Sequence, residues 1–187
     1  DQNTAGWDRK IIAHNRILGN RASHGGGSSV CGAGMYLLYT MATLDGNEIA
    51  DNSANGTGGG VAAAGSSFRL QNNIIARNST TTSGGGLDIA GSAESGTEQL
   101  IMNNTIVDNH AANVGGGMEI RSGNRAEVVT INNIFWGNTA PEGSEISVGT
   151  GSAATVQYCD VQGGWPGLGN INADPLFILP RLDSLNT

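Results

Sequence analysis

One pattern constrains this chain more than any other feature. The segment Asn15-Arg-Ile-Leu-Gly-Asn20 recurs as Asn47-Glu-Ile-Ala-Asp-Asn52, Asn73-Ile-Ile-Ala-Arg-Asn78, Asn104-Thr-Ile-Val-Asp-Asn109 and Asn133-Ile-Phe-Trp-Gly-Asn138. The copies are 32, 26, 31 and 29 residues apart. A glycine element follows each: Gly32-Ala-Gly-Met-Tyr-Leu37, Gly58-Gly-Gly-Val-Ala-Ala63, Gly84-Gly-Gly-Leu-Asp-Ile89 and Gly115-Gly-Gly-Met-Glu-Ile120. The fifth decays to Gly143-Ser-Glu-Ile-Ser-Val148. A third apolar patch precedes each next copy, as in Phe68-Arg-Leu70, Leu100-Ile-Met102 and Val128-Val-Thr-Ile131. Two-residue alternation and β-branched content make these patches strands, and nothing carries helical periodicity over the length a helix needs.

A unit of about 30 residues with three short strands cannot bury its apolar side alone, and stacking successive units solves that. The expected fold is therefore all-β: a parallel solenoid of five to six coils, each with three short strands and each rung ~4.8 Å from the next. Repeated residue types then become columns. Ile17, Ile49, Ile75, Ile106 and Phe135 line the interior. Asn15, Asn47, Asn73, Asn104 and Asn133 form one ladder, and Asn20, Asn52, Asn78, Asn109 and Asn138 a second. Asparagine suits such a column because its amide bonds the rung above and below, and because it tolerates a left-handed bend. The Gly triplets mark sharp turns.

Composition closes other routes. Gly and Pro number 30 and 4 of 187 residues, about 18% and short of low-complexity disorder. Nine basic residues against 16 acidic ones, with no basic cluster, lack the footprint of a nucleic-acid binder. No stretch reaches the ~20 apolar residues of a membrane span; Ala33 to Leu44 comes nearest and is short. No signal-peptide pattern is visible, and a chain that begins at Asp1 without Met reads as processed or truncated. Asn55-Gly-Thr matches a glycosylation acceptor, relevant only to a eukaryotic secretory context.

The N-x-I-x-x-N and G-G-G-[LMV]-x-[IL] elements resemble the right-handed parallel β-helix repeats of bacterial secreted and surface proteins. They are similar to those of polymorphic outer-membrane proteins and large anchored envelope proteins. Tyr158-Cys-Asp-Val-Gln-Gly-Gly-Trp-Pro-Gly-Leu-Gly-Asn-Ile-Asn-Ala-Asp-Pro-Leu-Phe177 resembles the segment that closes such helices. The resemblance covers roughly residues 10–178. It implies an extracytoplasmic location and a usually non-catalytic role, and it carries no universal catalytic residues. The implied layout is a β-helix over 1–178, with an incomplete lead-in at 1–9, a closing segment at 162–178 and a tail at 179–187. Because the chain starts almost inside the first coil, that coil is expected to be covered by further sequence or by a protein partner.

Aligning the closing segment on the fifth copy puts Val161 in the interior column and Cys159 in the first Asn ladder. Cys31 then lies about five rungs away, on the order of 24 Å, beyond the Cα separation under about 7 Å that a disulfide requires. Metal ligation is not expected, since neither cysteine has a second Cys or His near it. Leu176 and Phe177 are expected to cap the last coil, with Trp136 beneath Trp165; together those tryptophans would otherwise make a sugar platform.

An enzymatic alternative exists. In the glycine-element strand the outward position reads Tyr36, Ala62, Asp88, Glu119 and Ser147. Asp88 and Glu119 would emerge ~5 Å apart, with Arg121 one alternation further on. Two carboxylates at that separation resemble a retaining glycosidase pair or a cation site, and the Arg suits an acidic polysaccharide. Ordinary solvated surface positions are the plainer reading. No cofactor is expected: the Gly runs open strands and are not phosphate loops, and His14, His24 and His110 are dispersed. Outward positions are too mixed for ice binding.

Overall fold

A computed structural model describes residues 9–23, 30–91, 99–122 and 126–178. Residues 1–8 of the lead-in, the segment 24–29 with His24, the segments 92–98 and 123–125 after two Gly elements, and the tail from 179 lie outside the described residues. Every strand pairing is parallel, and no described residue is helical. Among the described residues no helix is long and apolar enough to cross a membrane.

Three sheets run the length of the stack. The first pairs Lys10–Ala13, Met41–Asp45, Ser67–Gln71, Gln99–Met102, Glu127–Ile131 and Ala153–Gln157 in that order. The second pairs Arg16–Leu18, Glu48–Ala50, Ile74–Ala76, Thr105–Val107, Ile134–Trp136 and Asp160–Val161. The third pairs Met35–Leu38, Val61–Ala64, Leu87–Ala90, Met118–Ile120 and Ile146–Val148. A short fourth sheet adds to the expected three: Arg21–Ala22, Ser53–Ala54, Ser79–Thr80 and His110–Ala111.

The interior column forms as read. Ile17, Ile49, Ile75, Ile106, Phe135 and Val161 are in register on consecutive rungs. From Ile49 to Val161 they are at most 1% exposed; Ile17, on the first rung, is only partly buried. Leu44, Leu70, Ile101 and Val156 from the first sheet, and Leu37, Ile89 and Ile120 from the third, close the same core. A void there, about 10 Å³ and lined mainly by Leu37, Val61, Ala63, Phe68, Leu70 and Leu87, is water-sized. Among the described residues the interior is packed side chains.

Both Asn ladders form. Asn47 donates from its backbone N–H and its Nδ2 to Asn73 Oδ1, both at 2.9 Å. Asn73 does the same to Asn104, and Asn104 to Asn133. The second ladder repeats this from Asn20 through Asn52, Asn78 and Asn109 to Asn138. Each buried Nδ2 also serves a carbonyl one coil earlier, as Asn78 serves Ile49 O at 2.8 Å. Both ladders therefore point one way: each Oδ1 faces the coil before it, and each backbone N–H with one Nδ2 hydrogen faces the coil after it.

The left-handed bend is not where the sequence suggested. The ladder asparagines themselves are not left-handed; the residue before each one is. His14, Gly46, Asn72, Asn103, Asn132 and Tyr158 precede the first ladder, and Gly19, Asp51, Arg77, Asp108 and Gly137 the second, all with φ between 52° and 69°. A ladder Asn is there for its buried amide, and its neighbour absorbs the strain. The Gly triplets divide similarly. Only the first glycine of each is left-handed, as at Gly84 with φ 69°. The third is required by close approach: a Cβ on Gly86 would lie 2.6 Å from Gly117 O and 3.0 Å from Asn109 Nδ2.

The C-terminal cap also differs from expectation. Leu176 and Phe177 are 76% and 49% exposed. Trp165 packs on the core instead, and Asn170 continues the first ladder. Cys159 N–H donates to Asn170 Oδ1 at 2.9 Å, and Asn170 Nδ2 donates to Val156 O at 3.0 Å. The chain thus lays one last rung only 11 residues after Cys159, which leaves the following residues to run off the end. Cys159 itself occupies the Asn position, its Sγ accepting from Asn133 N–H at 3.4 Å. Cys31 and Cys159 are both free.

Candidate functional site

The outward column of the third sheet is in register as read: Tyr36, Ala62, Asp88, Glu119 and Ser147 lie on consecutive rungs. Asp88 and Glu119 are therefore direct neighbours. They are not solvated surface groups, however. Asp88 is 2% exposed and Glu119 7%. The left-handed glycines that open these two elements bring the incoming chain close against both carboxylate residues. A Cβ on Gly84 would sit 2.5 Å from that of Asp88, and one on Gly115 2.7 Å from that of Glu119.

Arg121 completes the enclosure. Its Nε donates to Asp88 Oδ1 at 2.8 Å and its Nη2 to Asp88 Oδ2 at 2.6 Å. Nη2 also donates to Thr57 Oγ1 at 2.6 Å, and the Thr57 hydroxyl donates to Cys31 Sγ at 3.4 Å. One guanidinium thus ties Asp88 on the coil before it to Thr57 on the coil before that. Bidentate pairing of this kind is the strong form of an ion pair. Thr57 gives no sequence signal, because its involvement depends on how far the Arg121 side chain reaches.

The electrostatics follow from the enclosure. Burial pushes the Asp88 carboxyl up, against the hydrogen bonds and charge of Arg121. Burial also pushes Glu119 up, with a Ser147 hydrogen bond opposing and the Asp88 charge adding. Among the described residues Glu119 Oε2 is buried with no hydrogen-bond partner, an uncompensated burial that costs the ionised carboxylate. Arg121 is raised, first by its bond to Asp88.

A retaining glycosidase needs both carboxyl groups free to meet the sugar. Here both Asp88 oxygens are committed to Arg121, and Glu119 Oε2 is sealed from solvent. The arrangement does the work of a cross-link between three coils. Tyr36, 44% exposed, marks the open edge of the cluster. Elsewhere His14 lies over Gly46 and His110 Nδ1 is 2.9 Å from Thr139 Oγ1. Among the described residues no three His, Cys, Asp or Glu side chains converge to hold a metal ion.

One polar site went unread in the sequence. Glu145 stands where Gly34, Gly60, Gly86 and Gly117 stand in earlier coils. Each of those glycines leaves room for an Asn of the next coil. The fifth coil has no such Asn after it, and the Glu145 carboxylate fills the place. It accepts from Asn138 N–H at 3.2 Å and from Asn138 Nδ2 at 2.5 Å. What read as decay of the fifth Gly element is the end-stop of the second ladder.

Comparison with known proteins agrees with this architecture. No curated protein and no solved structure matches the chain. Residues 8–161 match the family described as a right handed beta helix region. That span takes in the second ladder, the first ladder as far as Cys159 and the six-rung core column, and the chain belongs to the right-handed β-helix family.

Proposed function

We propose that this chain is a non-enzymatic structural or binding module of a secreted or cell-surface bacterial protein. It serves as a rigid scaffold, an adhesin-like face or a subunit of a larger envelope assembly. The observation that carries this reading is the Asp88–Arg121 pair: the acidic pair most like a catalytic centre is closed by its own arginine. The recurrent residues support it too, since the asparagines and the Ile column are consumed by the stack.

The module works outside the cytoplasm, with its first coil covered by a protein partner or by further sequence. The half-buried Ile17, against fully buried Ile49 and Ile75, supports a cover at that end. A polysaccharide is the soluble ligand class most compatible with an outward face bearing Tyr36 and Arg121.

The competing reading is a polysaccharide lyase or glycoside hydrolase using Asp88, Glu119 and Arg121. The unpartnered Glu119 oxygen favours it. Incubation with a panel of acidic and neutral polysaccharides separates the two. The wild-type chain should release no reducing ends and no unsaturated products. Turnover abolished by Asp88→Ala together with Glu119→Ala would overturn the scaffold reading.

A further inference from the structure

The two ends of the stack are chemically unlike. At the C-terminal end both ladders are closed. Asn138 spends its N–H and Nδ2 on Glu145; Cys159 N–H goes to Asn170 Oδ1, and Asn170 Nδ2 turns back to Val156 O and Trp165 O. At the N-terminal end they are open. Asn15 and Asn20 donate forward to Asn47 and Asn52, but among the described residues nothing donates to the Oδ1 of either. The hydrophobic column is open there too. Ile12 and Ile17 are only partly buried, while Leu44 and Ile49, their partners on the next rung, are 0% exposed. Lys10–Ala13 and Arg16–Leu18 are the end strands of their sheets, and an unpaired strand edge is a template for another strand.

The repeat defines what fits this place. Each rung that covers an earlier one reads apolar-x-x-Asn-x-apolar-x-x-Asn, as in Leu44, Asn47, Ile49 and Asn52, or Leu70, Asn73, Ile75 and Asn78. Charge adds a second requirement. Residues 9–23 hold Arg9, Lys10, Arg16 and Arg21 and no acidic residue, although the whole chain carries −7. Lys10 and Arg21 are exposed. A second copy fits poorly: its C-terminal end has already spent its ladder donors, and its N-terminal end would set acceptor against acceptor and cation against cation. Residues 1–8 are too few to supply a preceding rung, because successive copies lie 26 to 32 residues apart.

We propose that the first coil is a docking edge for another polypeptide: an acidic segment with this spacing of apolar residues and asparagines, added in parallel ahead of Lys10–Ala13 and Arg16–Leu18. The proposal rests on the scaffold reading and names the chemistry of its N-terminal cover. The segment's asparagines donate to Asn15 and Asn20 Oδ1, its apolar pair closes over Ile12 and Ile17, and its carboxylates meet Lys10 and Arg21. Strand addition of this kind takes affinity from main-chain bonds and specificity from side chains, and opposite charge speeds the encounter.

The probe is a peptide of residues 41–53 of this chain, which carries Leu44, Asn47, Ile49 and Asn52 with Asp45, Glu48 and Asp51 and no cation. Fluorescence anisotropy of the labelled peptide measures its binding to the full chain, and hydrogen exchange locates it. Binding should saturate and protect amides of residues 10–18. Replacing both peptide asparagines with alanine should weaken it by about tenfold or more. Lys10→Glu combined with Arg21→Glu should weaken it by about threefold at low ionic strength, a difference that salt removes. No saturable binding, equal binding of the alanine peptide, or protection confined to the last coil would overturn the proposal. Self-association of the chain that the same charge variant abolishes would make the occupant a second copy, and would overturn it too. The scaffold reading is judged separately, by polysaccharide turnover, and survives if only the peptide fails.

Discussion

Replacing Asn104 with alanine is expected to destabilise the protein by about 3–5 kcal/mol, lowering Tm by ~10 °C. Asn104 is 1% exposed and sits mid-ladder. Its Oδ1 accepts from Asn73 N–H and Nδ2 at 2.9 and 3.0 Å. Its Nδ2 donates to Leu70 O, Met102 O and Asn133 Oδ1. Alanine removes all five bonds and strands buried donors and acceptors on three coils, each costing more unmade than it contributed when made. Thr105→Ala, on the outward side of the next position, should change stability by less than about 0.5 kcal/mol. Chemical denaturation of both variants checks this. A cost below about 1 kcal/mol for Asn104→Ala would mean the ladder does not hold the coils together.

Arg121→Ala is expected to cost about 3 kcal/mol at pH 7, because it leaves the Asp88 carboxylate at 2% exposure without its cation. The loss should shrink on acidification. Without Arg121 the Asp88 carboxyl rises further, so the folded state binds a proton that the unfolded state has already released, and stability falls as pH rises through that interval. Asp88→Leu combined with Arg121→Leu should lie within ~1 kcal/mol of wild type, since removing both partners removes the buried charge as well. Urea denaturation of the single and double variants at pH 5 and 7 measures the coupling. A single variant as stable as wild type would show that the pair is not closed in solution, and would return Asp88 to the candidates for catalysis.

What the sequence revealed follows from how solenoids encode themselves. Ile17, Ile49, Ile75 and Ile106 share one register, and stacking demands the same chemistry at each rung, so the column is visible as repetition. The ladder asparagines are visible for the same reason, and Cys159 could be placed by alignment although it breaks the pattern. The left-handed positions were hidden, because His14, Gly46, Asn72 and Tyr158 share a backbone conformation and not a side chain. The enclosure of Asp88 was hidden because it depends on the reach of the Arg121 side chain, which no register argument contains. Glu145 was hidden by being unique: a position that ends a repeat looks like a lapse in it. Leu176 and Phe177 misled because apolar residues after a last coil suggest a lid, while the short rung at Asn170 leaves Trp165 to fill that place.

The claim beneath all of this is that equivalent residues of successive units lie directly over one another. Methyl NOE spectroscopy on Ile- and Val-labelled protein tests it most directly. The predicted result is a single file of cross-peaks, Ile17 to Ile49, Ile49 to Ile75 and Ile75 to Ile106, with none between next-but-one members. Missing neighbour contacts, or contacts that skip a unit, would contradict the stacked-coil account.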